Sequence, residues 1–271
     1  MLRRIIKKLI KNDNKQDQLR LIYNSVKTIS PNLLLEEMKM RNNGSPDGFS
    51  FPPSKLIFTV IAIPWISEFY KSGKIIFDDM LKTFDNNGIN LQNNSNILDF
   101  GCGCGRVIRH FAATKKFNLY GSDLNYNLID WCNNNLFFGK FNINNLFPPL
   151  KYEDDFFELV YTRSVFTLLG SEAQLEWINE VRRILKPSGL FYFTTHGKNT
   201  IAPLSIDEKN RFNDNEIVLH NDFGEGDNKY SSYQSYKWTT NNLLNGFELV
   251  EFKEGSEKPH LRQDVYILRK L

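Results

Sequence analysis

Three glycines on alternate positions, Gly101, Gly103 and Gly105, lie between an apolar run and an amphipathic run in the stretch NILDFGCGCGRVIRHF, residues 96–111. Glycine is entropically costly to order and leaves the main chain open, so such a loop is expected where a ligand must approach the backbone. Asp99 precedes the loop, and Asp123 ends the next apolar run about 20 residues on. We expect the loop and these two carboxylates to form a ligand site.

The glycine spacing argues against a nicotinamide dinucleotide, whose fingerprint is G-x-G-x-x-G. The third glycine here comes two residues after the second, not three. A carboxylate at Asp99 is also a poor neighbour for a pyrophosphate, but a good one for a cationic amino acid. Asp123 is placed to accept both hydroxyls of a ribose. The sequence therefore favours a ligand with adenosine at one end and a positively charged amino acid at the other.

Strand-like and helix-like segments alternate from residue 96 onward, which predicts a parallel sheet with helices on both faces. The predicted strands are NILDF, FNLYGSD, FFELVYTRSVF and GLFYFTTHG, and the predicted helices are RVIRHFAATK, YNLIDWCNNNL and SEAQLEWINEVRRILK. GFELVEFKEG and QDVYILRK predict an antiparallel pair at one edge. Residues 1–41 and 66–84 also have helical patterns, and an insertion of about 40 residues follows His196.

On these residues the chain resembles the class I, Rossmann-like, S-adenosylmethionine (SAM)-dependent methyltransferases. DFGCGCGR is similar to motif I of that family, and GSDLN, FELVYTRSVFTLL and LKPSG extend the resemblance over residues 66–197. QDVYILRK is similar to the last strand of a bacterial subgroup that methylates small molecules or glycans. The resemblance implies SAM as the cofactor. It also implies an α/β fold, a doubly wound, Rossmann-like, mostly parallel seven-stranded sheet with an antiparallel C-terminal edge strand, N-terminal helices and a cap insertion.

The resemblance also implies roles for single residues. The methionine part of SAM would be held by Asp99 and by the loop residues Gly101, Cys102, Gly103 and Gly105. Asp123 would hold the ribose, Leu124 would pack on the adenine, and Asn144 or Asn142 would lie near the adenine amino group. Tyr161, Arg163 and Ser164 lie at the end of the predicted strand FFELVYTRSVF and would line the methyl-transfer side, where Ser164 is grouped with the cofactor contacts.

Methyl transfer from a sulfonium depends chiefly on alignment, and a hydroxyl acceptor also benefits from a general base. His196, at the end of the fifth strand, is the predicted base, since an ordinary histidine accepts a proton near neutral pH. The alternative is a histidine that stabilises the turn. Arg163 is suited either to bidentate binding of an anionic acceptor or to an internal ion pair. His196, Arg163 and Tyr161 are thus the candidate catalytic residues.

Several classes of site and partner are disfavoured. The cysteines Cys102, Cys104 and Cys132 lack paired zinc-ligand spacing, so no metal site is predicted. A net charge of +3 is too small to indicate nucleic acid by itself. Few cysteines and no apolar run of roughly 18–20 residues favour a cytoplasmic protein. The N-terminal MLRRIIKKLIK predicts a basic amphipathic helix, so residues 1–11 are candidates for peripheral contact at the inner membrane face, or for packing on their own domain.

The predicted organisation is an N-terminal helical extension and linker, residues 1–54, followed by a methyltransferase domain, residues 55–271, with an insertion at about 198–240. The predicted function is methyl transfer to a small-molecule or glycan-precursor acceptor, at oxygen. The alternatives are a SAM-binding partner or sensor without transferase activity and, less favoured, a nicotinamide-dependent oxidoreductase. The sequence contains no signal for an oligomeric state.

Overall fold

The computed structural model describes residues 31–220, 224–226 and 230–271. The amphipathic helix predicted for residues 1–11 lies outside these residues. Three described helices precede the sheet: α1 (Pro31–Asn43), α2 (Ser54–Ile61) and α3 (Ile66–Asn86). The helical period of residues 66–84 is confirmed, with α3 continuing two residues further.

A seven-stranded sheet forms the centre of the molecule. Its strands are β1 (Asn96–Phe100), β2 (Asn118–Asp123), β3 (Gly139–Ile143), β4 (Phe157–Tyr161), β5 (Leu185–Thr195), β8 (Phe247–Lys253) and β9 (Asp264–Lys270), and their order is β3-β2-β1-β4-β5-β9-β8. The first five run parallel, and β9 is antiparallel to both β5 and β8. The predicted fold class is confirmed. Strand order reverses beside β1, which is where open parallel sheets bind ligands.

Helices cover both faces of the sheet. They are α4 (Ile108–Ala112), α5 (Tyr126–Asn135), α6 (Ser171–Ile184) and α8 (Tyr236–Leu243), together with α3. One buried cluster joins α3, α4 and α5 to the sheet through residues such as Met80, Phe111 and Leu128. The other joins α6 and α8 through residues such as Trp177 and Leu243. Helices therefore bury apolar side chains on both faces of the sheet, which is the arrangement of a doubly wound fold.

The insertion at about 198–240 contains α7 (Ile206–Asn213) and a two-stranded sheet of β6 (Val218–His220) and β7 (Ser231–Tyr233). Leu204, Phe212, Val218 and Tyr233 form a small buried cluster of its own. A parallel bridge between His196 and Tyr233 joins it to the end of β5. This part of the insertion therefore continues directly from the main sheet.

The segment before the sheet is attached to α3 and α4 through buried charges. The carboxylate of Glu37, fully buried on α1, accepts hydrogen bonds from the amides of Ile66 and Ser67 at 3.2 and 2.9 Å. An anion at a helix N-terminus satisfies free amides and matches the helix dipole. Asp47, in the loop after α1, pairs with buried Arg109 of α4 at 2.7 Å. Residues 31–54 are thus fastened to α3 and α4.

Candidate active site

A cavity of about 900 Å³ opens at the carboxyl ends of β1, β2 and β4. Its size lies within the range of small-molecule sites, and its position is the reversal point of the strand order. Side chains from α2, including Phe58, and from the loop Gly224–Gly226 complete its walls. The cavity therefore lies where the sequence places the ligand.

The glycine loop is shaped by close packing. Gly101 and Gly103 have φ angles of 78° and 56°, in the left-handed region that favours glycine. A Cβ atom on Gly101 would lie 2.2 Å from Cγ2 of Val165, so a side chain has no room there. The amides of Gly101 and Cys102 both donate to the carbonyl oxygen of Ser122, at 2.8 and 2.9 Å. The loop is thus fixed against the end of β2 with its backbone facing the cavity.

Asp123 joins β2 to the loop. Its Oδ2 accepts a hydrogen bond from the amide of Gly103 at 2.9 Å, and its Oδ1 accepts one from the amide of Asn125 at 2.9 Å. Burial raises the pKa of this carboxyl, and the two amide hydrogen bonds oppose the rise. The side chain lines the cavity at the position predicted for the ribose contact.

Asp99 lies on β1 and is 3% exposed. Burial raises its pKa from an ordinary 3.8 to about 7, although a hydrogen bond from Tyr161 opposes the shift. The group also lines the cavity. A carboxyl poised between its neutral and charged forms gains by binding a cation, which favours the charged form. This is the chemistry that an amino acid ammonium group requires.

The cavity also contains two residues predicted to contact the adenine. Leu124 is 46% exposed and lines the wall, as does Asn144. The Oδ1 atom of Asn144 is buried and has no hydrogen-bond partner among the described residues. A buried acceptor without a donor is costly, so this oxygen fits an amino group that donates to it. Asn142 does not line the cavity and donates instead to the hydroxyl of Tyr152 at 3.4 Å.

Two arginines also line the cavity. Arg163, just after β4, donates to Oε1 of Gln263 and, at 2.6 Å, to the carbonyl oxygen of His260. Ser164 also lines the cavity, with its Oγ 3.0 Å from Oε1 of Gln263. Sequence reasoning missed Arg106 and Glu225, which line the cavity as well. Arg106 could have been predicted as a cavity residue, because it directly follows Gly105 of the glycine loop. No local sequence pattern indicates that Glu225 reaches the cavity.

Three predicted site residues do not line the cavity: Tyr161, His196 and Gly105. Tyr161 is fully buried behind Asp99, and a Cβ on Gly105 would meet Leu136 instead. The ring of His196 stacks on Tyr233 with centroids 4.9 Å apart. Burial, followed by the charge of Arg163, lowers the pKa of His196 to about 4. Its role as a general base stays a prediction.

The three cysteines are buried and free. Within residues 31–220, 224–226 and 230–271, no group of three or more histidine, cysteine or carboxylate side chains is arranged to hold a metal ion. No helix in that part of the chain is long and apolar enough to cross a membrane.

Comparison with known proteins agrees with this geometry. A family profile described as "Methyltransferase domain" matches residues 73–251. No curated protein matches the sequence.

Among solved structures, the chain is similar to a SAM-dependent methyltransferase from Methanosarcina mazei, with a TM-score of 0.53 and 22% identity over 67% of this chain and 94% of that one. It is also similar to a SAM-dependent methyltransferase from Clostridium acetobutylicum, with a TM-score of 0.51 and 14% identity over 74% and 92% of the two chains. A third is the PH0226 protein from Pyrococcus horikoshii, with a TM-score of 0.52 and 14% identity over 72% and 91%. These likenesses concern the fold.

The matched family, the sheet order and a cavity that joins Asp99, the glycine loop, Asp123 and Asn144 agree with one another. The chain belongs to the methyltransferase-domain family, has the class I SAM-dependent methyltransferase fold and has SAM as its cofactor.

Proposed function

We propose that this chain methylates a hydroxyl group on a small molecule or glycan precursor. The observation that carries the proposal is a single cavity. It is lined both by the residues predicted to hold the cofactor and by Arg163 and Ser164, which follow β4. SAM, when bound, supplies an electrophilic methyl group on a sulfonium. The protein's contribution is then alignment of the acceptor with that methyl group and exclusion of water.

Each part of the cavity has a separate task in this proposal. The charged form of Asp99 binds the ammonium group of the amino acid, Asp123 accepts from the ribose hydroxyls, and Oδ1 of Asn144 accepts from the adenine amino group. The acceptor lies between α2, which contributes Phe58, and the end of β4. A small or narrow acceptor suits these walls, since α2 and the loop Gly224–Gly226 both border the cavity.

The residues after β4 support oxygen over a nucleobase amino group. Methylases of nucleic-acid amino groups carry an N/D-P-P-Y/F element at that position, and Thr162, Arg163 and Ser164 occupy it here. The only adjacent prolines nearby, Pro148 and Pro149, precede β4 instead of following it. We therefore propose a hydroxyl acceptor and no nucleic-acid partner.

The test combines binding and transfer. Calorimetric titration with SAM and S-adenosylhomocysteine, with NADH alongside, is expected to show micromolar binding of the sulfur compounds alone. Asp123→Asn is expected to weaken that binding about tenfold or more, because hydrogen bonds to charged groups are stronger than neutral ones. Asp130→Asn, an exposed aspartate on α5, is the matched control and is expected to bind as the wild type does.

Transfer is then measured with SAM that carries a deuterated methyl group and a panel of hydroxylated metabolites, including nucleotide-linked sugars. A labelled methyl ether in the product, with stoichiometric release of S-adenosylhomocysteine, supports the proposal. A labelled methylamine would show that the acceptor atom is nitrogen and not oxygen. Tight binding with no transfer to any member of a broad panel would favour a SAM-binding partner or sensor.

Peripheral membrane contact through residues 1–11 stays a prediction, as does a cytoplasmic location. Pelleting of the chain with anionic liposomes, with and without those residues, tests the contact. Equal pelleting of both forms would contradict membrane contact through residues 1–11.

A further inference from the structure

Two cavity arginines have no carboxylate partner among the described residues. Arg106 and Arg163 both line the cavity, and neither takes part in an ion pair there, in contrast to Arg41, Arg109, Arg183, Arg211 and Arg269. Within the described chain, Arg163 donates to neutral oxygens, the side-chain amide of Gln263 and the carbonyl of His260. Within the described residues the two guanidinium groups therefore form no direct ion pair, although the negative charge of Asp99 acts on Arg106 and raises its pKa.

Within the described chain, the guanidinium group of Arg106 has fewer close hydrogen-bond partners than that of Arg163. Its Nη1 lies 3.4 Å from Oγ of Ser72, and its Nε is buried without a hydrogen-bond partner within the described chain. Leaving a buried charged donor unpaired is expensive in free energy. An acceptor from outside the protein, an anion in the cavity, would satisfy it.

The positive charges of Arg106 and Arg163 also repel each other. Burial lowers the pKa of Arg106 to about 10, and the positive charge of Arg163 is the next contribution in the same direction. Burial likewise lowers the pKa of Arg163. An oxyanion beside the two guanidinium groups would offset both the desolvation and the repulsion.

Both side chains originate from rigid backbone. A Cβ on Gly73 would lie 2.1 Å from the carbonyl oxygen of Arg106, so α3 packs directly on the backbone of that arginine. Arg163 is held by two acceptors from the loop before β9. A guanidinium group fixed in this way presents its donors as a planar fork, which matches a carboxylate or a phosphate.

The other charged groups of the cavity do not take this role. Asp99 and Asp123 belong to the cofactor end, and their carboxyls bind cations or donors. Glu225 is near Tyr230, whose pKa its negative charge and hydrogen bond help to raise after the larger effect of burial. Among the described residues that line the cavity, the two arginines are the cations left to meet the second substrate.

We propose that Arg106 and Arg163 bind an oxyanion on the acceptor, so that the substrate is a hydroxylated compound that carries a carboxylate or a phosphate. This inference rests on the proposed methyl transfer and narrows its substrate class. SAM itself carries a carboxylate, which is a second source of the same chemistry. The experiment must therefore separate the two sources.

The experiment uses the full chain saturated with S-adenosylhomocysteine and titrates it with inorganic phosphate and, separately, malonate. We expect saturable binding of at least one of these anions, measured by calorimetry or by chemical-shift changes in the protein NMR spectrum. Arg163→Gln and Arg106→Gln are each expected to weaken that binding about tenfold or more, since a charge-assisted pair is lost. Arg269→Gln, which removes an exposed pair with Glu248, is the matched control and is expected to bind the anion within about twofold of wild type.

Two ligands distinguish the sources of the anion. S-adenosylhomocysteine has the amino acid carboxylate, and 5′-methylthioadenosine lacks it. If the arginines bind the acceptor, each glutamine variant keeps its affinity for both ligands within about threefold. If either variant loses affinity for S-adenosylhomocysteine more than tenfold while 5′-methylthioadenosine is unaffected, that arginine binds the cofactor carboxylate and the proposal is overturned.

Absence of saturable anion binding to the wild-type complex also overturns the proposal. Arg163→Lys keeps the positive charge if Arg163→Gln does not fold, and intermediate anion affinity is expected because the planar fork is lost. Failure of the wild type to bind S-adenosylhomocysteine at all is a different result. It would contradict the proposed function and not the anion site alone.

Discussion

The hydroxyl of Tyr161 donates a hydrogen bond to Oδ2 of Asp99 at 2.8 Å, between two buried side chains on adjacent strands. The two residues are direct partners in the parallel register of β1 and β4. Asp99 reaches the cavity and Tyr161 does not. We therefore expect Tyr161 to be a positioning residue, which acts on the cofactor through the orientation and charge of Asp99.

Tyr161→Phe is expected to move the pH dependence of cofactor binding upward. Burial raises the pKa of Asp99 to about 7, and the hydrogen bond from Tyr161 lowers it. Loss of that bond raises the pKa further. If the charged carboxylate binds the ammonium group as proposed, affinity for S-adenosylhomocysteine increases as pH rises through this pKa. The variant then needs a higher pH to reach the same affinity. Titrations between about pH 5.5 and 8.5 give the two midpoints.

The control for this variant is Tyr120→Phe, on β2, whose hydroxyl takes part in no described hydrogen bond with the site. Its binding midpoint is expected to match the wild type. A Tyr161→Phe midpoint equal to or below that of the wild type would contradict the coupling.

Gly73→Ala is expected to destabilise the protein although alanine favours helices over glycine by about 1 kcal/mol. The new Cβ would lie 2.1 Å from the carbonyl oxygen of Arg106, and backbone cannot rotate away as a side chain can. Overpacking of this kind costs about 1–3 kcal/mol, measured as a lower free energy of unfolding in urea. Lys82→Ala, on the exposed face of α3, is expected to change it by less than about 0.5 kcal/mol. A more stable Gly73→Ala protein would refute the close approach.

Asp47→Asn is expected to lower the free energy of unfolding by about 3–5 kcal/mol, because it leaves the buried charge of Arg109 without its partner. Asp78→Asn, which breaks an exposed pair with Lys74, is the control and should cost less than about 1 kcal/mol. Urea unfolding of both variants gives the comparison. A similar decrease in the free energy of unfolding of both variants would show that the buried pair stabilises the protein no more than the exposed pair does.

The same pair predicts a pH dependence. Burial pushes the pKa of Asp47 up, but hydrogen bonds and charge attraction from Arg109 outweigh it and leave the pKa below its ordinary value. A carboxyl with a depressed folded-state pKa stabilises the protein above its unfolded pKa of about 3.9 and loses that contribution as pH falls through the folded value. The stability difference between wild type and Asp47→Asn should therefore shrink in acid.

His196→Asn is expected to leave turnover and S-adenosylhomocysteine affinity within about threefold of the wild type. The ring lies outside the cavity lining, and a pKa of about 4 makes it a weak base. Rates are measured as release of S-adenosylhomocysteine with an accepted substrate. General-base catalysis contributes about 10²–10⁴-fold, so a loss of that size with unchanged affinity would restore the predicted base role.

Local spacing was enough to predict that the glycine loop, Asp99 and Asp123 lie at one cavity. The glycine loop, Asp99 and Asp123 are close in sequence to the two strands that place them, so their meeting follows from a parallel sheet. The fold class and the antiparallel C-terminal pair were predicted for the same reason, since alternation and turn residues are local signals.

Features that depend on distant contacts were missed or misjudged. β3 was not predicted, because its sequence GKFNI is short and polar with only Phe141 fully buried. α4 ends at Ala112, several residues before the predicted helix does, and Lys115 has a φ of 56°. Glu225 and Phe58 reach the cavity from segments remote in sequence, and no periodic pattern indicates such an approach.

The raised pKa of Asp99 has a consequence for the heat of binding. Near neutral pH part of the protein population carries a proton on this carboxyl, and a ligand that requires the carboxylate must displace it. That proton passes to the buffer, so the enthalpy observed on adding SAM includes the ionisation enthalpy of whichever buffer is present. Titrations in two buffers of different ionisation enthalpy would differ in measured heat, and the slope against that enthalpy gives the net number of protons released on binding, to which Asp99 contributes.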